Sequence, residues 1–359
     1  MEEEEGEDID VDLDVYGATI YSLIFDMMEL ISGVDHDKLG LKLNMLRLGF
    51  VLCILFGNFA MQGGMLYWIY NFVAAPSVHT VQYVYQKYHA EVFVDDGKYS
   101  KEAWEVFEHQ DELCGIAFSN FWFMVAILCL WWTTMLNEMR KNERMIRNIA
   151  SIRHTTNANE IVQVGEDGVQ RVKFMTRTVR WMLYIILILP KIVIGLVLLV
   201  IGTIWLAATD SFADLILNAI ALEFVIAIDE LLFEAMLPAS IHAKIEETKL
   251  WKPAKKLTPA ENEKKTLGGY RRSCIYFFGT MGAVYLYMMY GQVIPILGVF
   301  PGYAHDAECP TYMALTTKRL CEEGKQCFPF GVSAHGHGST GSGHHHVKAK
   351  AHHGHGHHR

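Results

Sequence analysis

The chain has 359 residues, 51% of them apolar and 12% aromatic, with 20% charged residues and a formal net charge of −9. The charged fraction is below the soluble average of about 25%, and the basic residues are split between separate segments, which argues against a nucleic-acid partner. No phosphate loop, G-x-S-x-G elbow or HExxH spacing marks an enzyme.

A bilayer core about 30 Å thick requires roughly 20 apolar residues in helix. Five stretches qualify, at about 47–73, 115–137, 181–208, 212–237 and 273–300. They predict an all-α polytopic transmembrane bundle over residues 47–300. Residues 1–46 precede it. The first fourteen, MEEEEGEDIDVDLD, are acidic and low in complexity, so they predict a disordered tail without the basic region of a cleavable signal peptide. Residues 15–34 are apolar but contain Asp26 and Glu29. They predict an amphipathic helix, on the membrane surface or packed on the bundle.

The first span has Gly57, Ala60, Gly63 and Gly64 on a small face suited to close helix packing. Asn58 and Gln62, four apart, predict hydrogen bonds between helices. Residues 76–113 read as an acidic loop, within which Trp104 and Phe107 form the apolar side of a helical stretch. After the second span, residues 138–180 are basic. Their EIVQVGEDGVQRVKF stretch alternates apolar and polar residues around Gly165 and Gly168, a β-hairpin pattern. Residues 239–272 are basic as well.

Residues 301–332 hold cysteines, and residues 333–359 are a His-rich, disordered tail carrying ten of the seventeen histidines. There His344, His345, His346, His352 and His353 offer imidazoles to a divalent metal, the one cofactor the sequence suggests.

Lys and Arg gather in short cytoplasmic loops. The two basic segments therefore set the N-terminus inside, with five spans and the C-terminus outside. Cys114, Cys309, Cys321 and Cys327 then face an oxidising compartment. Four cysteines allow two disulfides in three pairings, one of which would tie the tail to Cys114 beside the second span.

Residues 181–237 form an apolar hairpin with charges inside it, and an ionisable group at such depth is a functional hypothesis by default. At about 1.5 Å per residue, Lys191 lies some 20–25 Å below the outer turn and Glu223 roughly 20 Å below it. They are expected to pair or to share a polar cavity. On the helical wheel Glu223, Glu230 and Glu234 fall within about 40° of one another, and Asp214, Asn218 and Asp229 fall on the opposite side. A helix with two polar stripes is expected at the centre of a bundle or an oligomer. Pro190, beside Lys191, removes a backbone hydrogen bond and can kink its helix.

The segment LILNAIALEFVIAIDELLFEAMLP, Leu215 to Pro238, resembles a motif of multi-spanning membrane proteins of dinoflagellates and related algae whose activity is not established. The resemblance covers under a tenth of the chain and implies a membrane location. A weaker similarity links Ala221-Leu222-Glu223 and Ile228-Asp229 to the acidic span of TerC-type metal-resistance proteins. Glu230 stands where that pattern has Asn, and the rest of the seven-span pattern is absent.

Three functions remain open. One is a cation or proton channel or transporter component centred on Lys191 and Glu223. Another is a non-transporting structural or interaction subunit in which that pair only sets helix register. The third is an outer-surface metal or pH sensor built on the histidines. The implied partner is the lipid bilayer of the plasma membrane or an endomembrane, with homo- or hetero-oligomerisation open.

Overall fold

A computed structural model describes residues 6–27, 38–94, 98–116, 121–155, 162–164, 169–209, 211–253, 258–290 and 309. All belong to a unit spanning Met1–Pro310; Thr311–Arg359 forms a second unit outside the described residues.

The acidic segment expected to be disordered instead contains a strand, β1 (Gly6–Asp10). The absent side chain of Gly6 makes room for the Trp251 ring, which a Cβ would strike. Next comes α1 (Val15–Ile24), capped by Asp14, whose carboxylate accepts from Gly17 N. All ten of its residues are buried. It therefore lies within the bundle, the second of the two positions expected for it, while Glu29 of the expected amphipathic stretch lies outside the described residues. Asp26 is completely buried and is taken by Arg47, whose Nε lies 2.8 Å from both carboxylate oxygens.

The first apolar stretch is longer than expected. Helix α2 (Lys38–Trp68) runs through a π-helical turn at Ile69–Ala74 into α3 (Ala75–Val92). Pro76 explains the π turn: it has no N–H and its ring crowds the carbonyl four residues back, so the preceding turn widens. Residues 75–92, read as loop, continue the helix. At its far end come the short strands β2 (Phe93–Val94) and β3 (Lys98–Tyr99), then α4 (Lys101–Glu105) and α5 (Gln110–Gly115). There Tyr88 meets Phe93, Trp104 and Phe107 edge-on at 5.4–5.9 Å, so the apolar side read at Trp104 and Phe107 is buried.

Helix α6 (Phe121–Ser151) extends well past the second apolar stretch. Strands β4 (Arg153–His154), β5 (Val162–Val164), β6 (Gln170–Val172) and β7 (Phe174–Met175) follow. The hairpin expected around Gly165 and Gly168 is present as β5 against β6. It belongs to a four-stranded sheet in the order β1-β8-β6-β5, in which β8 (Thr248–Pro253) pairs antiparallel with β1 and parallel with β6.

Helix α7 (Arg177–Met182) passes through a second π turn, Leu183–Ile188, into α8 (Leu189–Ala207). Pro190 stands just after this turn, as Pro76 does after the first. The next apolar stretch is not one helix: α9 (Phe212–Ile226) and α10 (Ile228–Met236) are separated at Ala227. Helix α11 (Ala239–Glu246) leads to β8. Helix α12 (Pro259–Tyr290) starts from a capping box, with Thr258 and Glu261 hydrogen-bonding each other's backbone N–H groups. Those bonds hold the Glu261 carboxyl below its usual range.

Three helical segments are long and apolar enough to cross a membrane: Gly40–Val92, Phe121–Ser151 and Arg177–Ala207. The interruption at Ala227 takes residues 212–237 off that set, and the fifth expected span is described only as far as Tyr290. Helix α6 packs along α8, α12 along α6, and α2 along α8 and α10. Close approach of α6 and α8 depends on Gly195 and Gly202, where a Cβ would strike Met139 and the Trp131 ring respectively. The glycines read as a packing face are different: Gly57, Gly63 and Gly64 of α2 have open space around them.

Candidate functional site

The bundle interior carries a polar cluster around Lys191. The ammonium group lies 3.7 Å from Asp14 Oδ2 and 3.7 Å from the centroid of the Tyr16 ring. The Lys191 side chain keeps only 10% of its exposure, and a charge that buried needs a partner. Here the start of α1 provides it. Asp14 must sit at the cap, and the cap places its carboxylate beside α8. Tyr16, two residues on, accepts a hydrogen bond from Asn58 Nδ2 at 3.0 Å.

This corrects the expected Lys191–Glu223 pair. Glu223 is exposed on α9, and so are Glu230 and Glu234 on α10. The residue of that segment turned inward is Asp229, 8% exposed. The two stripes read from helical angle do not run along one helix, because it is broken at Ala227, and of the second stripe Asp229 alone is buried. The break at Ala227 puts Asp229 in the first turn of α10, beside the core. Asp214 is exposed, and Asn218 donates to Thr209 Oγ1 at 3.0 Å, tying α9 to the end of α8. Glu230 reaches Lys141 at 3.8 Å.

A cavity of about 40 Å³ occupies the centre of the cluster, lined by Tyr16, Gln62, Glu138, Asn142, Lys191 and Asp229 together with apolar neighbours. Lys191 and Asp229 both line it. Gln62 Nε2 donates to Val225 O at 3.4 Å, so Asn58 and Gln62 do bond between elements as expected. Toward Cys114 the core is sealed by Met124, Leu128, Trp131 and Leu222, all buried. In the other direction Glu138 pairs with Lys141 at 2.8 Å. Lys141 in turn lines a wider cavity of about 270 Å³ with Asp10, Asp12, Arg144 and Asn148. Polar groups therefore run from the basic end of the bundle to its middle and stop there.

Sequence reasoning found Lys191, Asn58, Gln62 and Asp229. It missed Asp14, Tyr16, Glu138 and Asn142 as members of one site. The signal for Asp14 was its cap position before an apolar helix, and for α6 the 138, 141, 142 spacing that sets three polar groups on adjoining turns. Among the described residues no group of three His, Cys, Asp or Glu could hold a metal ion. The histidines expected to bind metal, His344, His345, His346, His352 and His353, lie outside the described residues. Cys114 is bridged to Cys309, while Cys321 and Cys327 lie outside the described residues.

The chain matches no protein-family model, no curated protein and no solved structure.

Proposed function

We propose that the protein is a multi-pass integral membrane protein and a channel or transporter component for protons or cations, with Asp14, Lys191 and Asp229 at its centre. The proposal keeps five spans, a cytoplasmic N-terminus and a plasma or endomembrane location; the resemblance of residues 215–238 to algal membrane proteins implies a membrane location alone. One observation carries it: the buried Asp229 and the partly buried Lys191 line one small cavity inside the bundle, approached by polar groups from one end. Ionisable groups inside membrane bundles face polar cavities and mark ion or proton routes. The π turn before Pro190 supports the reading, since such turns recur at functional sites. An interrupted helix beside the site is also a habit of transporters.

The test is proton or cation flux in vesicles reconstituted with the purified chain. Asp229→Asn should lower the flux at least tenfold with the fold intact, and Glu223→Gln should leave it unchanged. Wild-type flux in Asp229→Asn would overturn the proposal.

A second reading, a non-transporting subunit of a membrane assembly, is favoured by the open glycines of α2 and the exposed Glu223. It predicts no flux and retention of function when Lys191 and its buried carboxylates are replaced together by apolar residues.

A further inference from the structure

We infer that the cavity beside Asp229 is a binding site for one partly dehydrated alkali cation of about the size of Na⁺. The inference rests on the reading of the core as a cation pathway and names its occupant.

Two buried groups are left incomplete at this place. Asn142 is 3% exposed, and its Oδ1 has no hydrogen-bond partner among the described residues. Asp229 is 8% exposed, and among the described residues no ion pair closes on it. A buried amide oxygen without a donor and a buried carboxylate without a counterion each carry a desolvation cost. Both line the same small cavity, and one cation there would satisfy both. Gln62 already donates its amide N–H to Val225 O, which leaves Oε1 for the cavity. Glu138 adds a carboxylate whose charge is shared with Lys141.

Every donor is a hard oxygen, which suits alkali and alkaline-earth ions and not softer metals. Charge and size narrow the choice. Lys191 lines the same cavity, so a divalent ion would meet its ammonium group, whereas a single charge balances Asp229 once Lys191 is matched by Asp14. A cavity of about 40 Å³ holds an ion with one or two waters.

The test uses the full-length chain in detergent or nanodiscs. Its unfolding midpoint is followed by tryptophan fluorescence in LiCl, NaCl or KCl against choline chloride at equal ionic strength, with ²²Na⁺ binding counted in parallel. The expected result is a saturable rise with Na⁺ over choline and one ion per chain. Asn142→Ala and Asp229→Asn should each raise the half-maximal Na⁺ concentration at least tenfold. Should Asp229→Asn fail to fold, as judged by size-exclusion chromatography, Asn142→Ala carries the test. Equal midpoints in all four salts, or an unchanged response in folded Asn142→Ala, would overturn the inference. Proton flux without alkali binding would sink this inference and leave the proposed function standing; alkali binding without flux would do the reverse.

Discussion

Asp26 sits just past the end of the apolar helix α1 with no solvent-exposed surface, and Arg47 is its counterion. Removing one partner strands the other in a medium that cannot solvate it. Asp26→Ala is therefore expected to cost about 3–5 kcal/mol in equilibrium unfolding, while Asp26→Leu combined with Arg47→Met restores most of the loss. A double variant as unstable as the single one would show that the pair itself, rather than the stranded charge, sets the cost. Asp8 and Arg171 are more exposed, and breaking that pair should change stability by less than about 1 kcal/mol. Both Asp26 and Lys191 were legible in the sequence as charges in apolar runs. Their partners were not. Depth along a helix can be counted from sequence, but which side chain fills a given azimuth depends on tertiary packing. Here α1 folds into the bundle and brings Asp14 to Lys191, a position that Glu223 matched only in depth.

Glycines divide by packing rather than by spacing. A Cβ at Gly202 would lie 2.5 Å from the Trp131 ring and 3.0 Å from Leu222, so Gly202→Ala must push α6 and α8 apart. A loss of about 1–3 kcal/mol is expected, with a shift in tryptophan emission as Trp131 moves. Gly282→Ala, at an open position of α12, should do neither. Equal effects of the two substitutions would remove this account of the α6–α8 contact. Sequence spacing selected Gly57, Gly63 and Gly64 because they form a stripe, yet the glycines in contact are on α8, one per two turns. Local patterns served better where the structure is local. The β5–β6 hairpin follows from alternation around a glycine turn, and the capping box at Thr258 from three adjacent residue types. Strand β1 was hidden because its partner β8 is far along the chain and its acids lower strand propensity. Asp8 is offset by Arg171 two strands away on β6, and Asp10 by Lys249 on the neighbouring β8. The π turns have a local cause in Pro76 and Pro190, but a proline alone does not say whether a helix will kink, break or widen.

Among the described residues one covalent link, Cys114 to Cys309, closes a loop across a separation of 195 residues. In the chain-entropy limit a loop of that length contributes about 5 kcal/mol against unfolding. It also bears on the proposed sidedness. Cys114 follows the aromatic cluster at one end of the bundle, whereas Lys141 and Arg144, at the far part of α6, mark the basic end. A disulfide forms in an oxidising compartment and basic loops stay in the cytoplasm, so the proposed orientation puts the bridge and the basic end on opposite faces of the membrane. They can be tested together in sealed, right-side-out vesicles carrying a chain in which Cys53, Cys129, Cys274, Cys321 and Cys327 are replaced by Ser. A membrane-impermeant maleimide should fail to label this chain as isolated and should label it after an external, impermeant reductant, without lysis. Reduction should also lower the unfolding midpoint by several degrees. Labelling that requires lysis would put the bridge on the cytoplasmic side and reverse the topology. The polar cavity at Lys141 and Arg144 would then open outward, and the route to Asp229 would start from the opposite face of the membrane.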